Sequence, residues 1–455
     1  MATHSCVIAP HLKDSLSMAD MGKYGRMFPD LPCPETDEDI LLVLGRSGSI
    51  MDAAAMPSSD EALTDNPRIP AGFTFLGQFI AHDITADRSL LLHHARFNEL
   101  RNFRTPRLDL ESVYGAGPTG NPYIYDLNDA DKFLLGINDS EELKDLPRNR
   151  QGRALLGDPR DDVHLIISQL HLAFLKFHNA IIDYLREKGV PDSDVFREAQ
   201  RLVRWHYQWI VVNEFLPLTV GEELVDDILT NGLKFYTYTD NPYIPVEFAD
   251  AAYRYGHSQV RQTYTLNGLG ATGQVFPDCE GTRPVPHDRA VDWVYFFNMD
   301  DSQPPQVSKR IDTVLAHSLI DLPKSVVGET KTPQEHSLAY RDLVRGEALD
   351  LPSGEAIARV MEIEPLSKEK VGLSQFGWKS ETPLWFYILK EAEVRHHGER
   401  LGDVGGRIVA EVLLGLIGGD PDSYLNAEPE WNPKLPSSQE GYFTIADLLR
   451  FAKAV

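Results

Sequence analysis

Apolar residues recur at helical spacing in several long stretches of this chain, and few stretches alternate as strands do. The helices that this spacing predicts cover residues 73–85, 164–188, 193–215, 254–260, 288–320, 384–395 and 404–416. The helix over 193–215 is expected to end before Pro217, since proline disrupts a helix interior. The pattern therefore predicts a mainly α-helical protein.

The regions outside these helices predict how the chain is organised. Residues 1–65 are rich in Pro, Asp, Ser and Gly and show little periodicity, which predicts an irregular N-terminal arm that wraps the core. Residues 103–122 predict a loop with a glycine- and proline-rich end. No internal repeat, low-complexity tract or long linker is visible, so residues 66–455 are expected to form one large helical domain with long ordered loops.

Composition narrows the class of protein. The 455 residues include no apolar run of 18, so no transmembrane segment is expected. Residues 1–15 lack a basic region followed by an apolar stretch, which predicts a cytoplasmic protein or one exported without a cleavable signal peptide. The three cysteines argue against a disulfide framework. The formal net charge of −24 disfavours nucleic acid and anionic membranes as partners, and the oligomeric state stays open.

The most informative motif is residues 77–83, Gly-Gln-Phe-Ile-Ala-His-Asp, inside an apolar helical run. Gln78 and His82 are four residues apart and share one helix face, whereas Asp83 points about 100° away. One side of this helix could therefore perform acid–base chemistry while the other binds a cation.

Two further segments carry candidate chemistry. Arg160 ends a Gly-Asp-Pro-Arg turn just before the helix over 164–188. In that helix His164, His171 and His178 recur every seven residues, a rise of about 10.5 Å that excludes a shared metal ion, so we interpret His171 and His178 as structural hydrogen-bonding residues.

The loop over 105–111 alternates oxygen-bearing side chains, since Thr105, Asp109 and Glu111 fall on one side of an extended strand of chain. Together with the Arg107 carbonyl and Asp83, they form the all-oxygen set that calcium prefers. A solvated acidic loop is the alternative interpretation.

These motifs, with Ala-Tyr-Arg-Tyr-Gly-His at 252–257 and the segment 337–352, resemble the animal-type haem peroxidases of the peroxidase–cyclooxygenase superfamily. The resemblance covers roughly residues 65–420, in family order, and bacterial leaderless members look most similar. It implies that His82 takes a proton from hydrogen peroxide and returns it to the leaving oxygen. It also implies that Gln78 positions the peroxide and that Arg160 polarises the O–O bond.

The resemblance assigns the other face of the haem to the later segments. His257 would be the proximal iron ligand, and Arg254 would lie near a haem propionate. Asp342 stands where relatives carry an asparagine that accepts a hydrogen bond from the proximal histidine. The alternatives are a one-residue misalignment or a surface pair between Asp342 and Arg345.

The resemblance also bears on the cofactors. It implies calcium held by Asp83, Thr105, the Arg107 carbonyl, Asp109 and Glu111, the last standing where a serine is more usual. Mammalian relatives link haem through esters at positions that here hold Ala81 and Val163. Neither can form an ester, so non-covalent haem b is expected unless Asp161 or Asp162 substitutes.

The expected function is a haem peroxidase that reduces hydrogen peroxide through a ferryl intermediate, oxidises an organic or halide electron donor and responds to oxidative stress. One alternative is a cyclooxygenase-like fatty-acid dioxygenase, which needs a tyrosine three residues before the proximal histidine, where this chain has Arg254. The other alternative is a non-enzymatic haem-binding protein.

Overall fold

The structure is a computed structural model that describes residues 22, 24–36, 38–56, 64–86, 100–142, 144–238, 241–299 and 303–454. It is mainly helical, which confirms the predicted fold class. The α-helices are α1 Glu38–Gly45, α2 Gly72–Ile84, α3 Glu111–Tyr114, α4 Gly117–Gly120, α5 Leu165–Glu187, α6 Asp192–Ile210, α7 Leu216–Val220, α8 Glu222–Asn231, α9 Val246–Ala249, α10 His317–Ile320, α11 Lys324–Val327, α12 Leu338–Ala348, α13 Gly354–Val360, α14 Lys368–Val371, α15 Leu384–His396, α16 Asp403–Gly418, α17 Tyr424–Ala427 and α18 Ile445–Phe451.

Short 3-10 turns and strands connect these helices. The 3-10 turns are Ala53–Ala55, Pro122–Ile124, Pro159–Asp162, Ala252–His257, His287–Arg289, Trp293–Tyr295, Pro333–His336 and Leu373–Phe376. The strands are β1 Asp65–Pro70, β2 Tyr264–Thr265, β3 Thr272–Gly273 and β4 Val307–Lys309. In the described residues β1 pairs antiparallel with β4, and β2 pairs antiparallel with β3.

Helix α5 is the central element of the core. Sixteen of its residues are buried, from Leu165 to Leu185, and it packs against α2, α3, α6 and α18. It is also the one helix in the described part of the chain that is long and apolar enough to cross a membrane, but 83% of its most apolar window is buried inside the protein. The fold itself therefore covers its apolar surface.

The helix predicted over 193–215 does not end before Pro217. Helix α6 continues through a π-helical turn, Val211–Phe215, into α7, with Pro217 in the first turn of α7. Proline has no N–H for the carbonyl four residues earlier. That carbonyl, on Asn213, instead accepts the Tyr442 hydroxyl at 2.7 Å. The irregular turn and this outside donor explain why the helix tolerates the proline.

Two predicted helices are absent from the described residues. The segment 254–260 is only the end of the 3-10 turn Ala252–His257, and 288–320 is mostly irregular. In the latter, Trp293 and Phe296 are buried from a single 3-10 turn, and Pro304 and Pro305 prevent a continuous helix. The aromatic spacing was therefore that of one turn and not of a long helix.

The predicted N-terminal arm is more regular than expected. Residues 1–21, 23, 37 and 57–63 lie outside the described residues. Within the described part, α1 packs against α12 and buries Leu41 and Leu44 completely. Met51, just after α1, is equally buried. This part of the segment is therefore a helical component of the core, and the division into residues 1–65 and 66–455 stays a prediction.

Candidate active site

Helix α2 presents Gln78 and His82, but the two side chains have different partners. Gln78 Oε1 lies 2.8 Å from Nε2 of His164, the N-cap residue of α5. Nδ1 of His164 accepts a hydrogen bond from the backbone N–H of Ile167, so the neutral ring carries its proton on Nε2 and donates it to Gln78. Burial, followed by the nearby His82, lowers the pKa of His164 to about 3, so the ring stays neutral. The Gln78 amide is thereby fixed with its oxygen towards His164.

His82 is held by a carboxylate in the turn before α5. Its Nδ1 lies 2.6 Å from Oδ1 of Asp161, and 10% of its side chain is exposed. Nε2 of His82 has no hydrogen-bond partner in the described part of the chain. The ring is therefore fixed through one nitrogen and available through the other.

Arg160 lies beside His82 but bonds to its backbone. Its Nη2 donates to the carbonyl oxygen of His82 at 3.0 Å and also contacts the carbonyl of Thr85. Its Nε and Nη2 bond to Asp158, a carboxylate that Arg104 also pairs. Burial alone would raise the pKa of Asp158, but the two guanidinium groups lower it. Arg160 thus caps the C-terminal end of α2 and does not contact the imidazole.

The proximal candidate His257 ends the 3-10 turn that packs against α2. Its Nδ1 lies 2.6 Å from Oδ2 of Asp342, a fully buried residue of α12. Burial would raise the pKa of Asp342, but the charges of His257 and Arg254 outweigh it and lower that pKa. The carboxylate is therefore ionised and acts as a hydrogen-bond acceptor towards Nδ1 of His257.

Arg254 does not point to an open cofactor surface. Its Nη1 lies 2.5 Å from Asp342 Oδ1, its Nη2 lies 2.9 Å from Asp250, and its Nε donates to the carbonyl of Ala249. All three nitrogens are engaged, so Arg254 braces the carboxylate that holds His257. The position near a haem propionate that the resemblance implied for Arg254 stays a prediction.

The two candidate haem-facing histidines have the same hydrogen-bonding arrangement. Each has Nδ1 2.6 Å from an oxygen of a fully buried carboxylate, Asp161 or Asp342, and neither His82 nor His257 has a partner at Nε2 among the described residues. A histidine that ligates a metal commonly donates its other ring nitrogen to a carboxylate in this way. The His257 side chain, 31% exposed, fits an axial ligand of haem iron.

The acidic loop lies under the end of α2, as a calcium site would require. Asp83 is fully buried and accepts hydrogen bonds from the N–H groups of Leu110 and Ser112 and from the Ser112 hydroxyl. Burial and the charge of Asp109 raise the pKa of Asp83 well above its ordinary value. A carboxylate in this state favours either a proton or a cation beside it.

The remaining calcium candidates bond mainly to one another. The Thr105 hydroxyl contacts Asp109 at 3.0 Å and Glu111 at 3.3 Å, and Glu111 also faces Arg104 at 3.5 Å. The Arg107 side chain pairs with Asp420. Within the described chain no three His, Cys, Asp or Glu side chains are gathered as metal ligands. The chemistry of the oxygen set fits calcium, although the structure does not gather its carboxylates as ligands.

The two aspartates considered as haem links are engaged elsewhere. Asp161 bonds to His82 and His171, and both oxygens of Asp162 pair with Arg148 at 2.7 and 2.8 Å. Ala81 and Val163 carry no group that could form an ester.

Sequence reasoning missed two contacts of this site. The Gln78–His164 pair spans 86 residues and the His82–Asp161 pair spans 79. The one available signal was the seven-residue spacing of His164 and His171, which places both on the face of α5 towards α2. His178, the third member, bonds to the Tyr114 hydroxyl and the Asp131 carbonyl.

With the site described, comparisons with known proteins identify its class. The family model "Animal haem peroxidase" matches residues 92–280, a span that includes Arg160 and His257 and begins after His82. The chain is 32% identical over 143 residues to "Chorion peroxidase" of Drosophila melanogaster, covering 30% of this chain and 17% of that protein. It is 30% identical over 125 residues to "Heme peroxidase 2" of Caenorhabditis elegans, covering 25% of this chain and 17% of that protein.

Solved structures share the fold over most of the chain. Peroxidase A from Dictyostelium discoideum superposes with a TM-score of 0.64 at 14% identity, over 94% of this chain and 91% of that one. A fatty acid alpha-dioxygenase from Oryza sativa superposes with a TM-score of 0.60 at 15% identity, over 85% and 73% of the two chains. Residues 92–280 therefore match a domain of the animal haem peroxidase family, and this family implies haem binding. Its matched segments span less than a fifth of the length of these curated relatives.

Proposed function

We propose that the protein is a haem peroxidase that reduces hydrogen peroxide and then oxidises a small-molecule electron donor. The observation that carries the proposal is the matched pair of imidazoles. His82 and His257 each place Nδ1 2.6 Å from a buried carboxylate and keep Nε2 without a partner among the described residues. A peroxidase needs one such ring as a base and the other as an iron ligand.

The residues divide the work between the two faces. His82 Nε2 accepts a proton from peroxide and returns it to the departing oxygen. The Gln78 amide, oriented by His164, offers its NH₂ group as a neutral donor one helical turn from His82. His257 would hold the haem iron, and Asp342 would strengthen it as a ligand. Haem, when bound, would supply the redox chemistry by which peroxide is reduced and the donor is oxidised.

We also propose the type of haem, a bound calcium ion and the class of electron donor. Non-covalent haem b is supported by Ala81 and Val163, which cannot form esters, and by the engagement of Asp161 and Asp162. Calcium is supported by the buried carboxylate of Asp83 and the oxygen-bearing side chains of the neighbouring loop. An organic molecule or a halide is proposed as the electron donor.

Stopped-flow spectroscopy of the haem-loaded protein mixed with hydrogen peroxide tests the function. We expect the haem spectrum to change within one turnover and to return when a phenol or a halide is added. The His82→Ala variant should react about 10² times more slowly or worse, with normal haem content, because it lacks the base.

The alternatives give different results in the same apparatus. Haem binding without any reaction with peroxide would support a haem-binding protein. Oxygen uptake with a fatty acid in the absence of peroxide would support a dioxygenase.

A further inference from the structure

Asp161 is a fully buried carboxylate that bridges two histidines. Its Oδ1 lies 2.6 Å from Nδ1 of His82, and its Oδ2 lies 2.8 Å from Nδ1 of His171. The exposed fraction is 0% for Asp161 and His171 and 8% for His82. The three side chains connect α2, the turn Pro159–Asp162 and α5 through one continuous chain of hydrogen bonds.

The local sequence places Asp161 between His82 and His171. Asp158 caps the 3-10 turn, and the backbone N–H of Asp161 donates to the Asp158 carbonyl at 3.1 Å. The turn leads directly into α5, on which His171 packs edge-on against Phe79 of α2 at 6.1 Å. The carboxylate is therefore enclosed by well-packed elements and has little freedom to turn away.

The proton positions follow from the chemistry of the carboxylate. Burial alone would raise the pKa of Asp161, but the hydrogen bonds and charges of His171 and His82 outweigh it and lower that pKa. An ionised carboxylate can only accept, so both rings must donate from Nδ1. A neutral His82 then has a bare Nε2, which is the form a proton acceptor needs.

We propose that Asp161 is a positioning residue that fixes His82 in the Nδ1–H tautomer and aims its bare Nε2 at the peroxide. His171 completes the chain: among the described residues its side chain hydrogen-bonds only to Asp161, and its Nε2 is buried without a partner. The hydrogen bond from His171 fixes the orientation of the Asp161 carboxylate. The role in catalysis depends on the proposed function, whereas the tautomer of His82 does not.

The Asp161→Asn variant separates positioning from mere packing. An amide has one acceptor oxygen and one donor NH₂, so only one ring can keep its Nδ1 proton bonded. The other ring must accept at Nδ1 and carry its proton on Nε2. A protonated Nε2 on His171 would be a buried donor with no partner, which is costly. The amide NH₂ should therefore face His82, which becomes the Nε2–H tautomer.

Nitrogen NMR of protein labelled with ¹⁵N-histidine measures this directly. It is recorded on the purified protein and on its haem-loaded, diamagnetic carbon monoxide complex, and signals are assigned by their loss in His82→Gln and His171→Gln variants. We expect Nδ1–H for both rings in the unmodified protein and Nε2–H for His82 in Asp161→Asn. Asp162→Asn, in the same turn but paired with Arg148, is the matched control and should leave the His82 tautomer unchanged.

A kinetic cycle provides the second readout. Asp161→Asn should slow the peroxide reaction by about 10-fold or more, and adding it to His82→Ala should slow the reaction no further, because Asp161 acts only through His82. An Nε2–H tautomer of His82 in the unmodified protein, or an unchanged tautomer in Asp161→Asn, overturns the proposal. If Asp161→Asn does not fold, the His82 tautomer measured in the unmodified protein tests the proposal by itself. A protein that never reacts with peroxide would overturn the proposed function alone.

Discussion

At the scale of single residues, the two buried carboxylates of the site have different surroundings. Asp161 is shared by two neutral-type donors, His82 and His171, whereas Asp342 also receives the guanidinium of Arg254. A carboxylate that already pairs with a cation gives up part of its charge to that pair. His257 should therefore have less imidazolate character than it would if Asp342 had no other partner. It should still have more imidazolate character than it would with an asparagine at position 342.

This difference predicts the effect of Asp342→Asn on the haem potential. An ionised partner donates electron density through His257 and stabilises the ferric state. Removing the charge should raise the ferric/ferrous potential by tens of millivolts, given that about 59 mV corresponds to a tenfold change in a one-electron equilibrium. Spectroelectrochemical titration measures it. Asp250→Asn, which perturbs Arg254 without touching His257, is the control and should shift the potential less.

A second prediction at this scale concerns the attachment of haem. Ala81 and Val163 cannot form esters, and Asp161 and Asp162 are engaged in hydrogen bonds and ion pairs. Acidified organic solvent should therefore extract all haem from the loaded protein, as seen by absorbance of the two phases. Haem that stays with the denatured chain would contradict the prediction, and mass spectrometry of Asp161→Asn and Asp162→Asn would then locate the link.

At the scale of elements, the sequence predicted well what depends on local periodicity. The helix expected over 73–85 is α2, Gly72–Ile84, and that over 164–188 is α5, because continuous apolar stripes bury one face of each. It failed over 288–320, where buried aromatics occupy one turn and prolines follow. It also missed α1, whose short stripe is stabilised by contact with α12, some 300 residues later in the chain.

The end of α2 carries a prediction about calcium. Asp83 follows His82 directly, and burial and the charge of Asp109 raise its pKa well above its ordinary value, although the nearby Arg104 acts to lower it. Bound calcium should hold the end of α2, so a chelator should lower the melting temperature, and Asp83→Asn should abolish that effect. Metal analysis finding less than about 0.2 calcium per chain after purification with calcium would contradict a site of even sub-millimolar affinity.

The control for this experiment is Asp158→Asn. Asp158 is as deeply buried near the same helix end, but it pairs with Arg104 and Arg160. This substitution should lower the melting temperature by the same amount with and without calcium, because Asp158 is not one of the proposed calcium ligands. A chelator effect that disappears in both variants would indicate general loosening of the helix end.

At the scale of the whole molecule, the sequence predicted the helical class, but not how the candidate site residues meet. The contacts Gln78–His164, His82–Asp161 and His257–Asp342 join residues 79 to 86 positions apart. Periodicity says which face of a helix is buried, whereas such pairings depend on how helices cross. Only the last was expected, because the resemblance supplied a register for Asp342.

The fold also contains a half-buried acid that is not among the candidate site residues, and it predicts how stability changes with pH. Glu214 lies in the π-helical turn and accepts the backbone N–H of Ile445 at the start of α18. Burial raises its pKa to about 8, whereas the unfolded chain releases that proton near its ordinary pKa of about 4.3. Between these values the folded state binds more protons, so the contribution of Glu214 to stability is complete below about pH 4 and is lost as the pH rises towards 8.

The Glu214→Gln variant should remove this loss, because the amide is neutral at every pH and its carbonyl can still accept from Ile445. Urea unfolding should show nearly equal free energies of unfolding for the variant and the unmodified protein at about pH 4, below the unfolded-state pKa. At pH 8 the variant should be more stable by on the order of 2–4 kcal/mol. Glu223→Gln, on the exposed side of α8, should change neither value. Equal stability of Glu214→Gln and the unmodified protein at both pH values would mean that water reaches Glu214 and that the junction between the π-helical turn and α18 is open in solution.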